Sequence, residues 1–258
     1  MTKDYQDYVS DQAFLSRYHE FQNRFSTVLR ENERAVIDLV GAQVKNKSWA
    51  GDDCRLLDIG CSTGNLLLHM RRHFPSLALV GADLAASSVE QARRDSKLAG
   101  IEFAVMDVTA LGKPSAFEII TVNKVLYLLS KEQYRKALAS LYDTLVPGGV
   151  VIVCDFVHAY EQYLTVVEES ASHPDGLPLH FRPRSFVAQA LRERGFADIG
   201  FQPFEIGIDL PRDPDVPENI NTHTVRIEGG KHLQFRGALA QPWCFYWAKR
   251  PLVDGVAT

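Results

Sequence analysis

Three aspartates stand at near-equal steps in the first half of the chain: Asp58, then Asp83 25 residues on, then Asp107 after another 24. Each closes a short apolar run, RLLDIG (55–60), LALVGAD (77–83) and EFAVMD (102–107). Such runs read as buried strands, so each acid is carried to a strand's carboxyl end. In an open parallel sheet those ends lie along one edge, and that edge is where ligands bind. Carboxylates gathered there repel one another and gain nothing in a core. A polar ligand bearing hydroxyls and amines accounts for them better than three solvated strand ends do. Directly after Asp58, Gly60 and Gly64 permit a tight turn into a helix N-terminus. Two histidines stand where a general base could act near neutral pH: His158, past the fifth strand, and His223, ahead of a hairpin. Tyr127 follows the fourth strand, and Arg226 and Lys231 on the hairpin could meet an anionic substrate.

These residues need a scaffold, and the apolar pattern supplies one. Phe14, Tyr18, Phe21, Phe25 and Leu29 recur at helical steps and predict one amphipathic helix. A second helix is expected near Glu33 to Val44, closing in polar residues around Asn46 to Ser48. Strands and helices then alternate. Helices are expected over 65–74 and 87–99, and strands over 117–125 and 150–156. Between those two strands, Ser130 with Gln133 forms a capping box, and Tyr134, Leu138, Leu141 and Leu145 form a buried stripe. Near-continuous apolar strands joined by helices predict a parallel sheet covered on both faces. Beyond it the pattern predicts a helix over 159–172, a loop over 173–184, a helix over 185–194 and a strand over 196–208. A proline-rich loop over 209–219, a hairpin turning on the two residues Gly229-Gly230 and an aromatic strand over 242–250 complete it.

The run Asp58-Ile59-Gly60-Cys61-Ser62-Thr63-Gly64, with Asp83, Asp107 and the Leu145-Val146-Pro147-Gly148-Gly149 turn, resembles the class I S-adenosylmethionine-dependent methyltransferases. The resemblance covers residues 55–156 well and the rest loosely. Ser62 stands where the family's motif has its middle glycine. The resemblance implies a doubly wound, mostly parallel seven-stranded α/β sheet of Rossmann-like type, with an N-terminal helical lid and C-terminal substrate insertions. By that likeness the Gly60–Gly64 loop, including Ser62, lies under the methionine moiety of S-adenosyl-L-methionine, with Asp58 in the same motif. Asp83 accepts from the ribose hydroxyls, and Leu84 packs on the adenine. Asp107 takes the adenine amino group, Val108 donates its amide, and Asn123 sits below the sulfonium. Tyr18 and Arg24 of the lid are candidates to close over the cofactor carboxylate. The implied reaction is methyl transfer to an O or N atom of a small metabolite or natural product, leaving S-adenosyl-L-homocysteine. His158, His223 and Tyr127 are the candidate catalytic groups, and Tyr127, His223 and Arg226 the candidate substrate contacts. Two alternatives use the same site: intramolecular displacement releasing methylthioadenosine, and cofactor binding without catalysis. A nicotinamide dinucleotide site would want G-x-G-x-x-G, whereas here Gly60 and Gly64 are four apart with Ser62 between them.

The chain has 258 residues, 46% hydrophobic and 23% charged, enough to bury a full core. The lid is expected over 1–50, the cofactor-binding core over 51–156 and the substrate-recognition region over 157–258. A net charge of −4 leaves no basic field for a phosphate backbone, so no nucleic-acid partner is expected. No apolar run approaches a membrane span, and the first residues lack the apolar core of a signal peptide. A cytoplasmic monomer or homodimer without membrane partner is therefore expected. Cys54, Cys61, Cys154 and Cys244 fit no zinc spacing and read as buried, reduced thiols. No metal is expected: Asn123 and Asp155 loosely fill the places of acidic ligands, and a third ligand is not evident.

Overall fold

The computed structural model describes residues 5–24, 27–46, 54–170, 173–212, 222–226, 228–236 and 239–252. Helices α1 (Tyr5–Tyr8), α2 (Gln12–Asn23) and α3 (Glu31–Asn46) precede the sheet. There follow β1 (Arg55–Ile59), α4 (Asn65–His73), β2 (Ala78–Asp83), α5 (Ala86–Arg94), β3 (Glu102–Val105), β4 (Phe117–Asn123), α6 (Lys131–Thr144) and β5 (Leu145–His158). The second half comprises β6 (Leu164–Ser170), β7 (His173–Pro183), α7 (Arg184–Arg194), β8 (Ala197–Pro203), β9 (Thr222–Arg226), β10 (His232–Arg236), β11 (Leu239–Ala240) and β12 (Trp243–Lys249).

The main path of the sheet runs β3-β2-β1-β4-β5-β12-β8. Strands β1 to β5 are parallel, and β12 is antiparallel to both neighbours. The expected seven strands are thus present on this path. β1 lies between β2 and β4, so the order reverses there and a crevice opens at their carboxyl ends. Alternate residues fill two cores, one per face. Leu57, Ile120, Val151 and Val153 pack on one side; Leu56, Ile119, Val150 and Ile152 pack on the other. The capping box of Ser130 and Gln133 starts α6, and its Tyr134, Leu138 and Leu141 are buried. All four cysteines are buried free thiols.

The second half departs from expectation. Within the helix predicted over 159–172, Leu164–Ser170 form β6 instead, with residues 171–172 outside the described residues, and the loop predicted over 173–184 is mostly β7. The two strands pair antiparallel from Leu164↔Phe181 to Glu168↔Leu177. Thr165, Val166 and Val167 are consecutive β-branched residues, which suit a pleated strand better than a helix. In β7, Leu177, Leu179 and Phe181 alternate inward. β7 also joins the end of β5 at Val157↔Arg182.

The expected aromatic helix stops early. Asp11 caps α2 by accepting from the Phe14 amide, and the helix ends at Asn23. Phe14 and Tyr18 stack on its inner side, Phe21 is exposed, and Leu29 lies past its end. Phe25, Lys47 and Ser48 fall outside the described residues, as does most of the 209–219 loop. α5 ends at Arg94, not residue 99, where a 3-10 turn (Ser96–Leu98) takes over. β8 ends at Pro203 rather than 208. The hairpin of β9 and β10 forms, but Arg226 pairs with His232. Residues 227–231 therefore connect the strands, a longer turn than Gly229-Gly230 alone.

Candidate functional site

A cavity of about 750 Å³ opens at the carboxyl edge of β1, β2 and β4. The acid series lines one wall. Asp58 is buried and accepts from Thr121 Oγ1 at 2.7 Å. Burial pushes its carboxyl up to about 7, with the charges of Asp83 and Glu33 adding to the effect. Asp83 accepts from the Ser62 amide and the Ala85 amide, both at 2.9 Å, so one side chain ties the glycine loop to the start of α5. Burial raises its pKa even against those two donors. Asp107 lies two residues beyond β3, in a turn rather than at the strand's end. Its Oδ1 accepts from Thr109, and its Oδ2 accepts from the Tyr5 hydroxyl at 2.8 Å. Leu84 and Val108 complete the wall.

The loop between Asp58 and α4 turns on left-handed residues: Gly60 at φ 73°, Ser62 at φ 49° and Gly64 at φ 84°. A Cβ on Gly60 would stand 2.2 Å from Val125 Cγ2, and one on Gly64 2.6 Å from Leu98 Cδ1. The chain's own packing therefore demands both glycines. Ser62 Oγ, Thr63 Oγ1 and Asn123 Oδ1 are buried without a hydrogen-bond partner among the described residues. Buried polar atoms are normally paired, so these three mark a ligand cradle.

The N-terminal helices are held to the α/β core by polar contacts. His19 Nε2 meets Ser88 Oγ at 2.7 Å, and Asn65 Nδ2 donates to the Gln22 carbonyl at 2.7 Å. Tyr18 lines the cavity, and burial raises its hydroxyl pKa. Arg24 is exposed and does not line the cavity; the N-terminal cations that do are Arg17 and Arg30, the latter paired with the buried Glu33.

The opposite wall is aromatic and cationic. Tyr127 projects from a 3-10 turn (Leu126–Leu128) onto Phe156 at 4.9 Å and edge-on to Trp243 at 5.6 Å. Burial raises its hydroxyl pKa far above the usual range. Lys124, Glu168, Gln234 and Arg236 bring polar ends to the same wall.

Two histidines and one arginine singled out from sequence do not reach it. His158 sits at the buried end of β5, its ring 5.7 Å from Tyr160, outside the cavity. His223 is buried against Phe235, stacked at 5.5 Å and 17°. The register explains this. His223 pairs with Phe235, and both lie on the face opposite Gln234 and Arg236, which do reach the cavity. Arg226 shares the face of Gln234 but lies at the far end of its strand, exposed and 2.6 Å from Asp209. Lys231 is exposed in the hairpin turn. Asp155 is fully buried in an ion pair with Arg182, away from the cavity edge. No group of three metal-ligating side chains occurs among the described residues.

Residues 56–149 match the family model described as a methyltransferase domain. Over that segment the chain is similar to S-adenosylmethionine-dependent methyltransferases. It is 34% identical over 105 residues to a demethylmenaquinone methyltransferase of Thermus thermophilus, covering 40% of this chain and 47% of the relative. The matched part thus spans about half the length of that relative. It is 26% identical to a ubiquinone/menaquinone biosynthesis C-methyltransferase of Desulfotalea psychrophila, over 59% of this chain and 70% of the relative. The fold superposes with a TM-score of 0.59 on the 1,6-didemethyltoxoflavin-N1-methyltransferase of Burkholderia thailandensis, at 15% identity, over 95% of this chain and 88% of that one. S-Adenosylmethionine, the cofactor of the methyltransferases this chain resembles, suits the acid wall. Ser62, Thr63 and Asn123 offer it unpaired buried polar atoms, and Asp83 and Asp107 have acceptor capacity left for hydroxyls and an amine.

Sequence reasoning missed Tyr5, Arg30, Lys124, Glu168, Gln234 and Arg236. Lys124 had one visible signal, its place directly after Asn123 at a strand end. The others are brought in by tertiary pairing that no local pattern encodes.

Proposed function

We propose that this chain transfers a methyl group from S-adenosylmethionine to an O or N atom of a small molecule seated between the acid wall and the aromatic wall. One observation carries the reading: a single cavity joins the polar cradle of Ser62, Thr63 and Asn123 to the Tyr127–Phe156–Trp243 surface. Bound there, the cofactor supplies an activated methyl on a sulfonium centre. The protein's part is to orient the acceptor's lone pair in line with the methyl carbon and to exclude water. The acceptor's electron pair forms the new bond to carbon, the carbon–sulfur bond breaks, and its electrons remain on sulfur. With His158 and His223 outside the cavity, Glu168 is the carboxylate on the acceptor wall able to take the proton released by the acceptor. Tyr127, its hydroxyl kept protonated by burial, serves as a hydrogen-bond donor rather than a base. The lid contacts of Tyr5, His19 and Gln22 support closure over the cofactor. Attack by carbon is the second reading, favoured by likeness to the Desulfotalea C-methyltransferase.

The test is incubation with S-adenosylmethionine and panels of phenols, carboxylic acids and amines. The expected outcome is release of S-adenosylhomocysteine together with a singly methylated product, whose NMR spectrum assigns O, N or C. Release of methylthioadenosine, or binding without turnover on any panel or in cell extract, would refute it.

A further inference from the structure

We infer that the acceptor is an organic anion with a flat apolar body, its charged group gripped by Lys124 and Arg236 and its body resting on Tyr127, Phe156 and Leu179. This rests on the methyl-transfer reading only in taking the opposite wall as the source of the methyl.

Lys124 is held in an unusual state. It adopts a left-handed φ of 61°, a region that favours glycine. Its amide donates to the Cys154 carbonyl at 2.9 Å, so strand β5 enforces the turn. Strain of this kind persists where the surroundings over-determine it, commonly at functional sites. The turn carries the side chain into the cavity, where the ammonium stands 4.8 Å from the centroid of Trp243. No ion pair holds it among the described residues; burial lowers its pKa, the charge of Arg30 adds to that, and the charge of Glu33, itself paired with Arg30, opposes it. A buried cation whose nearby carboxylate is already paired is costly, and an anion entering the cavity would relieve that cost.

Arg236 reaches the same space from β10. It too lacks an ion pair among the described residues, whereas Arg226 on the same face of that small sheet is neutralised by Asp209. The charge of Arg236 is felt at the Tyr127 hydroxyl. Between the cations, Gln234 Oε1 is buried without a partner among the described residues. Its Nε2 and Trp243 Nε1 are both directed at Gln241 Oε1, at 3.3 and 3.4 Å, which fixes the amide. The oxygen is therefore an acceptor waiting for a substrate-borne O–H or N–H. Glu168 and Glu33 also line the cavity, Glu33 already paired with Arg30. Lys124 and Arg236, lining it without an ion pair among the described residues, give a negative substrate group attachment points that orient the molecule before transfer.

The test titrates benzoate, salicylate and 4-hydroxybenzoate against their amides. Titrations use protein with and without S-adenosylhomocysteine and are read by calorimetry and tryptophan fluorescence. The carboxylates are expected to bind about tenfold more tightly than the paired amides, the scale of one charged hydrogen bond. Lys124→Met and Arg236→Gln should each reduce that ratio to about twofold or less. S-Adenosylhomocysteine affinity, titrated alone, should stay unchanged in both. Arg236 sits exposed on a small strand, so Arg236→Gln carries the test if Lys124→Met does not fold. Equal affinity for acids and amides overturns the proposal. So does a preference that survives Arg236→Gln, or no carboxylate binding at about 10 mM. Failure of S-adenosylhomocysteine to bind, with the carboxylate preference intact, overturns the methyl-transfer reading and leaves the anion site standing.

Discussion

Arg182 clamps β7 to the end of β5 and to the turn that presents Tyr127, and its removal should be among the most damaging single changes. The residue is fully buried. Nη1 donates to Asp155 Oδ2 at 3.0 Å, and Nη2 donates to the Leu126 carbonyl at 2.9 Å and to the Leu129 carbonyl. The guanidinium also lies 4.3 Å from the Tyr134 ring centroid. These contacts pin β7 to the turn that presents Tyr127. Arg182→Met retains apolar volume but strands the Asp155 carboxylate and takes a donor from the Leu129 carbonyl, while the Leu126 carbonyl keeps the Leu129 amide. Breaking one side of a buried pair costs about 3–5 kcal/mol. Replacing Asp155 with Asn in the same variant removes the stranded charge, so the double variant should regain roughly half of that loss. Burial already lifts the Asp155 carboxyl to about 6 despite Arg182, and it rises further without the guanidinium. A carboxyl whose folded pKa lies above its unfolded value of 3.8 loses its proton first in the unfolded chain. Stability therefore falls as pH rises through that interval, and the interval is wider in the variant. The deficit of Arg182→Met should be smaller near pH 5 than near pH 8. Urea unfolding followed by tryptophan fluorescence measures both. A loss under about 1 kcal/mol near pH 8, or a deficit independent of pH, would refute this account.

Asp83→Ala should weaken S-adenosylhomocysteine binding by about 1.5–3 kcal/mol per lost charged hydrogen bond, read by calorimetry; unchanged affinity in a folded variant removes Asp83 from the cofactor site. Asp58, held near 7 by burial against an unfolded 3.8, makes folding less favourable as pH rises between those values. Asp58→Asn should therefore raise stability near pH 8 by up to roughly 4 kcal/mol and leave it little changed near pH 4, and equal thermal shifts at both would contradict the assignment. Gly60→Ala meets both a positive φ and Val125 Cγ2, and should destabilise by about 2 kcal/mol or more. Adding Val125→Ala should relieve the contact and leave the φ cost, so denaturant melts should show a double variant less damaged than the sum. His223→Ala should leave turnover and KM at wild-type values, because the ring packs on Phe235 outside the cavity; a loss of turnover with stability intact would return His223 to the site.

Local patterns identified some parts of the site and misled on others. The acid series and the glycine loop were legible because each is one strand and one turn, and a strand's carboxyl end follows directly from the chain. Asp58, Gly60, Ser62, Asp83, Leu84, Val108, Asn123 and Tyr127 all line the cavity. His223 was misread because its side of β9 depends on register, and a shift of one residue moves every side chain to the other face. The β6–β7 pair was misread because the cross-strand partners that bury Leu177, Leu179 and Phe181 lie on the neighbouring strand, beyond any local window. Arg24 is exposed and does not line the cavity, which its place at the end of α2 did not reveal locally.

The sequence by itself determined the acid side of the cavity: parallel strands, a glycine turn, and Asp58, Asp83 and Asp107 in or just beyond successive strands, all encoded within short windows of apolar and turn residues. The tertiary structure alone decided which distant segments meet there. Tyr5 on Asp107, Lys124 over Trp243, and Gln234 and Arg236 facing Tyr127 join segments roughly 100 residues apart. Such meetings are set by strand order and register, which arise from the packing of the whole chain and from no single stretch of it.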